Sequence, residues 1–214
     1  MRDLPWVLAT RNPGKVRELR AVFADAGIDV IDLREAGIPP SEAEDELESF
    51  ATFEENALAK ARYFAERTGG RPVVADDSGL EVLALAGEPG VRSKRWSGRT
   101  DLEGAALDDV NNALLLARLR GVVDRRARFV CAAAWCPGGA GGDPIVVRGE
   151  VAGTIVDHAA GSHGFGYDPH FLASELGVTL GEATIAEKQL VSHRGRAITA
   201  LIAAVRGRRG SSRS

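Results

Sequence analysis

The stretch RPVVADDSGL, residues 71–80, constrains this chain more than any other. Val73, Val74 and Ala75 form a short apolar run, preceded by Pro72 and followed by turn formers, so the run reads as a buried strand. Asp76 and Asp77 then fall at or just past the C-terminal end of that strand. Ligands bind along that edge in open α/β sheets. Two neighbouring carboxylates repel, and burying both ionised is costly unless a cation or hydrogen-bond donors compensate. A hard divalent cation such as magnesium, which accepts carboxylate oxygens, is a natural compensator. A solvated Asp-Asp-Ser-Gly turn accounts for the same residues, since these types are common in turns.

Around this strand the pattern alternates between β and α. Trp6 to Ala9 reads as a first strand, and the punctuation Thr10, Arg11, Asn12, Pro13 and Gly14 follows it. Lys15 then opens a helix whose Val16, Leu19, Val22 and Phe23 share one face. The TRNPGK loop can offer backbone N–H groups at a helix start, and a lysine, to a phosphate. It lacks the GxxxxGK[ST] spacing of a P-loop, and a plain βα turn explains it as well. Val30, Ile31 and Leu33 suggest a second strand. An acidic run, residues 41–48, reads as mostly solvated. Residues 52–68 read as a helix with Phe50, Phe53, Ala57, Ala61 and Phe64 as its apolar stripe, and with Asn56 and Lys60 on another face. Residues 88–98 read as a long loop carrying Arg92, Lys94 and Arg95. Residues 107–119 read as a helix, and 128–136 and 149–155 as strands. The Gly-rich residues 137–144 read as a hairpin loop. Residues 161–171, GSHGFGYDPHF, form a second dense motif: its glycines permit close backbone approach, and Phe165 and Tyr167 offer rings on which a base can stack. SHRGRA opens a last helix over 197–205, and a basic tail, 207–214, is expected to be disordered.

Composition narrows the classes. The chain has 214 residues, which suits one domain or one domain with two lobes. Its formal net charge of -3 gives no global basic field for nucleic acid. No apolar run is long enough to span a membrane, and the N-terminal stretch, with Asp3 and a short apolar segment, does not read as a signal peptide. A cytoplasmic protein is expected, with no membrane partner. Cys131 and Cys136 have no neighbouring His or Cys to complete a zinc set and read as core or strand-face residues. A carboxylate pair for a metal, cations for phosphates and an aromatic-glycine loop for a base make the inventory of a magnesium-dependent nucleotide hydrolase.

The motifs TRNPGK, FEENALAKA, ADDSGL, PGVRS, GFGYDPHF and EK with SHRGRA occur in that order and together resemble the inosine triphosphate pyrophosphatase family. The resemblance runs from Leu8 to about Val205. It implies an α/β fold with an elongated mixed sheet, flanking helices and two lobes around a central cleft. Residues 1–206 would form that single domain, usually as a homodimer. It implies hydrolysis of the non-standard purine nucleotides ITP, dITP and XTP to monophosphate and pyrophosphate, which cleanses the nucleotide pool. Residue by residue, Thr10, Arg11, Asn12, Pro13, Gly14 and Lys15 match the family's triphosphate loop. Asp77 matches its proton acceptor and metal ligand, with Asp76 beside it in support, and Glu48 matches its other acidic metal position, for magnesium. Lys60 matches a lysine facing the phosphates and Ser78 a substrate contact. Phe165, Gly166, Tyr167, Asp168, Lys188, His193 and Arg194 match the base-recognising set. Lys94 stands where many members carry a small residue. In the implied mechanism Asp77 activates water, Lys15 and Lys60 stabilise the leaving pyrophosphate, and Lys188 or Arg194 donates to the 6-keto oxygen. Two other classes fit the inventory: a house-cleaning pyrophosphatase for other modified nucleotides, and a non-catalytic nucleotide-binding protein.

Overall fold

In a computed structural model, residues 4–139 and 142–211 are described. Six strands form one mixed sheet in the order β2-β1-β3-β4-β5-β6, where β1 is Trp6–Leu8, β2 Val30–Asp32, β3 Val73–Val82, β4 Arg126–Cys136, β5 Ile145–Ile155 and β6 Phe171–Ala173. β1 runs parallel to both β2 and β3, while β5 and β6 are antiparallel. Five helices accompany them: α1 Pro13–Asp25, α2 Phe53–Ala65, α3 Gly104–Arg118, α4 Ile185–Val191 and α5 His193–Ser211. No helix among the described residues is long and apolar enough to cross a membrane.

The chain divides into two compact units, Met1–Asp77 with Cys131–Gly149 and Arg194–Ser214, and Ser78–Val130 with Glu150–His193. Each has its own apolar core. The first packs Trp6, Leu8, Leu19, Phe23, Val74, Trp135, Ile198 and Leu201. The second packs Leu80, Val82, Leu115, Phe129, Val151, Phe171 and Leu180. Burial of such side chains is the main force holding each unit together.

Several sequence expectations change in detail. β3 does not stop before the carboxylates. It is ten residues long, and Asp76, Asp77 and Gly79 are buried within it. The solvated-turn alternative therefore fails. The pairing with β1 registers Val7 with Val73 and Leu8 with Val74, so both aspartates still lie beyond the end of β1. α2 keeps Phe53, Ala57, Ala61 and Phe64 as its buried stripe, but Phe50 precedes the helix and is exposed. Asn56 and Lys60 are buried too, so that face is not solvated. The strand read over 149–155 begins four residues earlier, as β5. Part of the Gly-rich loop before it, Ala140 and Gly141, lies outside the described residues. The last helix starts at His193, four residues earlier than read, and continues to Ser211. Residues 207–211 of the tail expected to be disordered are thus helical, and 212–214 lie outside the described residues.

Candidate active site

The first unit gathers the carboxylates and cations. Asn12 caps α1, its Oδ1 accepting from the backbone N–H of Gly14 at 2.8 Å and Lys15 at 3.2 Å. Pro13 at the first helical position costs no hydrogen bond there. The Thr10 hydroxyl accepts from the Asn12 N–H at 3.2 Å. The loop therefore satisfies three of its own N–H groups and turns the Lys15 side chain toward β3. Lys15 Nζ lies 3.0 Å from Asp76 Oδ2, on which Arg194 Nε also donates at 3.1 Å. Arg194 is itself held by Glu18 of α1. Arg11 points elsewhere: it pairs with Glu44 at 2.8 Å and donates to the carbonyls of Ile38 and Pro39.

Asp77 sits in a second, adjoining set. Asn56 Nδ2 donates to Asp77 Oδ2 at 2.8 Å. Lys60, one helical turn on along α2, places Nζ 2.6 Å from Glu48 and 3.6 Å from Asp77 Oδ1, and donates to the Asp76 carbonyl at 2.6 Å. Glu48 ends a 3-10 segment, Glu42–Glu48, that begins with a Ser41–Glu44 capping box. Most of the acidic run is solvated as expected, but Glu44 and Glu48 turn back to Arg11 and Lys60.

The neighbouring aspartates differ in charge state. Burial alone would push Asp76 up, but Lys15, then Arg194 and Lys60, overcome it and hold the carboxyl well below the usual carboxylate range. For Asp77 burial wins over Lys60 and Lys15, with Glu48 adding to it, so its carboxyl lies above the usual value. Lys60 is raised because Glu48, Asp77 and Asp76 outweigh its own burial. One aspartate is thus a fixed anion that orients two cations. The other is a carboxylate ready to take a proton.

These residues fit a hard divalent ion. Glu48 and Asp77 are oxygen donors that already converge on one cation, the Lys60 ammonium. Magnesium is commonly held by one or two carboxylates together with substrate phosphates. No group of three or more His, Cys, Asp or Glu side chains that could hold a metal alone occurs among the described residues. Asp76, expected to support the metal, has its Oδ2 committed to Lys15 and Arg194 instead.

The second unit holds the aromatic-glycine loop. Asp168 is buried, and its Oδ2 accepts from the Phe165 N–H and from Lys188 Nζ, both at 2.9 Å. Gly164 lies so close to this pair that a Cβ there would stand 2.1 Å from Asp168 Oδ2. Lys188 belongs to α4, a helix the sequence reading missed although Thr184 and Glu187 form its capping box. Phe165 is partly exposed with Lys188 Nζ 5.9 Å from its ring centre. Tyr167 offers no open face: its ring is buried and its hydroxyl donates to the Ser93 carbonyl at 2.9 Å. His193 is also buried, its ring stacked on Phe129 at 4.8 Å between centres and 11° between planes. Ser78, at the edge of this unit, is partly exposed.

Of the expected base set, then, Phe165, Gly166, Asp168 and Lys188 come together. Arg194 belongs to the first unit, where it pairs with Asp76 and Glu18. The exposed Lys94 stays in the 3-10 segment Gly90–Arg95, where the buried Ser93 accepts from the Leu80 N–H at 2.8 Å. Glu18, Asp108 and Asn112 were not singled out in the sequence. Asn56 was noted for its one-turn spacing to Lys60 but was given no role.

The sequence and the structure have clear relatives. A protein of Burkholderia pseudomallei (strain K96243) named dITP/XTP pyrophosphatase is 50% identical over 197 residues, which is 92% of this chain and 91% of that protein. The Staphylococcus aureus Ham1 protein superposes with a TM-score of 0.77 at 37% identity, covering 96% of this chain and 100% of that one. A HAM1 protein from Coxiella burnetii does so with a TM-score of 0.78 at 34% identity, over 95% and 99% of the two chains. The Ham1 family pattern matches residues 6–204, and this chain is a member of the Ham1 family.

Proposed function

We infer that this protein is a nucleoside triphosphate pyrophosphatase that hydrolyses the non-standard purine nucleotides ITP, dITP and XTP to the monophosphate and pyrophosphate. The observation that carries this reading is the pairing on one strand of a fixed anion, Asp76, with a proton-accepting carboxylate, Asp77, among Lys15, Lys60 and Glu48. Its support on the substrate side is the name dITP/XTP pyrophosphatase borne by a relative at 50% identity.

In this reading Asp77 accepts a proton from the attacking water. Lys15, aimed by Asp76, and Lys60 meet the oxygens of the departing pyrophosphate. Glu48 and Asp77 would hold magnesium, which when bound neutralises charge on the phosphate oxygens as the α–β bond breaks. In the second unit, the Phe165 ring takes the base, and Lys188, fixed by Asp168, donates to the 6-keto oxygen of hypoxanthine or xanthine. Adenine presents an amino donor at that place and would leave the lysine unmet, which costs binding heavily. The homodimer implied by the motif resemblance belongs to this reading, and a monomer mass by light scattering at micromolar concentration would remove it.

The test is pyrophosphate release from ITP, XTP, GTP and ATP with and without magnesium. Magnesium-dependent release from ITP and XTP, with little from GTP or ATP, is expected. Equal rates on all four would overturn the base assignment, and no release from any would overturn the function.

A further inference from the structure

One residue of the aromatic-glycine loop is held through both of its backbone polar groups. The Gly166 N–H donates to Asp108 Oδ2 at 2.8 Å, and the Gly166 carbonyl accepts from Asn112 Nδ2 at 3.0 Å. Asp108 and Asn112 are four residues apart on α3, so they share a face. Gly166 has a φ of 64°, a left-handed backbone that only glycine adopts cheaply. A Cβ there would meet nothing within 4 Å, so the glycine serves the backbone turn and not a crowded space.

Both grips carry a cost that stability alone would not select. Asn112 is 9% exposed, and its Oδ1 is buried without a hydrogen-bond partner among the described residues. A buried acceptor left unmet is unfavourable, and an apolar residue would avoid it. The amide is kept for what its Nδ2 does. Asp108 is half-buried and near Asp168, a like charge; burial first, then Asp168, push its carboxyl up, against the Gly166 N–H bond. The rest of the loop is fixed too, through the Phe165 N–H on Asp168 and the Tyr167 hydroxyl on Ser93.

We propose that Asp108 and Asn112 are positioning residues for base selection: by clamping the Gly166 backbone to α3 they set where Phe165 and the Asp168–Lys188 pair stand relative to the purine. The proposal rests on the function inferred above. Neither residue touches the reacting atoms. A loop that relaxes by about 1 Å loses orientation, and such a misplacement can cost on the order of a hundredfold.

The experiment is steady-state kinetics of Asp108→Ala, Asp108→Asn and Asn112→Ala on XTP, ITP and ATP, with pyrophosphate inhibition as a readout of phosphate binding alone. The two alanine variants are expected to raise KM for XTP and ITP about tenfold with kcat within about threefold, and to shrink the XTP-to-ATP ratio of kcat/KM about tenfold. Pyrophosphate inhibition should not move. Asp108→Asn, which retains an oxygen for the Gly166 N–H, should keep the ratio. An unchanged ratio in the alanine variants, whatever their melting temperature, overturns the clamp, and so does an Asp108→Asn variant as unselective as Asp108→Ala. If Asp108→Ala does not fold, Asn112→Ala decides on the same ratio. Failure of the unsubstituted protein to hydrolyse any purine triphosphate would instead remove the functional reading, and this proposal with it.

Discussion

Asp76→Asn separates two roles that the sequence left joined. The carboxylate is buried, with Lys15 at 3.0 Å and Arg194 at 3.1 Å on one oxygen. At an effective dielectric of about 20, each pair is worth about 5 kcal/mol of Coulomb attraction before desolvation is subtracted. Desolvation cancels much of that sum, and removing one partner of a buried pair costs about 3–5 kcal/mol, because the surviving charges stay buried. Here Arg194 keeps Glu18, and the Lys15 side chain is 14% exposed, so the lower part of that range applies. For a chain of this size about 3 kcal/mol corresponds to a fall in Tm of roughly 6–12 °C. Lys15 loses its aim with it, so kcat should fall by about a hundredfold. Differential scanning fluorimetry and pyrophosphate release read the two effects. A Tm within about 2 °C of the unsubstituted protein, together with a higher magnesium concentration for half-maximal activity, would refute the anchoring argument and return Asp76 to the metal.

Two further outcomes follow from the same geometry. Asp77→Asn should lower turnover at least about a thousandfold while Tm stays within a few degrees, since an amide oxygen can still accept from Asn56 and the variant no longer buries an ionised group; more than about a tenth of normal turnover would remove Asp77 from the base role. Cys131 and Cys136 are both buried free thiols, and burial, then Asp76, pushes Cys131 up to about 12. Neither should react with Ellman's reagent until the protein is denatured, and fast native labelling would contradict that burial.

The sequence was most legible where a local pattern had one physical solution. The apolar runs gave β1 and β2, and the 3.6-residue stripe gave most of α1 and α2. Misreadings came where tertiary contacts overrode local cues. Asp-Asp-Ser-Gly looks like a turn, yet three cations and Asn56 let the aspartates stay buried in a continuous strand, so the chain had no need to turn there. Tyr167 looked like a stacking platform, but its hydroxyl finds the Ser93 carbonyl 74 residues away, which no local pattern reveals. α4 was a different case: Thr184 and Glu187 spell a capping box, and the signal was present but unused.

Arg194 stands where the chain changes unit. The chain passes from the second unit to the first between His193 and Arg194, just as it passes from the first to the second between Asp77 and Ser78. Both crossings cut through a recognisable motif. A motif read as one functional block, SHRGRA or ADDSGL, therefore distributes its side chains over two jobs. His193 stacks inside one core while Arg194 helps to fix the charge of Asp76, 118 residues distant. The discriminating observation is the counter-ion: a guanidinium held by two carboxylates, Asp76 and Glu18, has its charge committed to them.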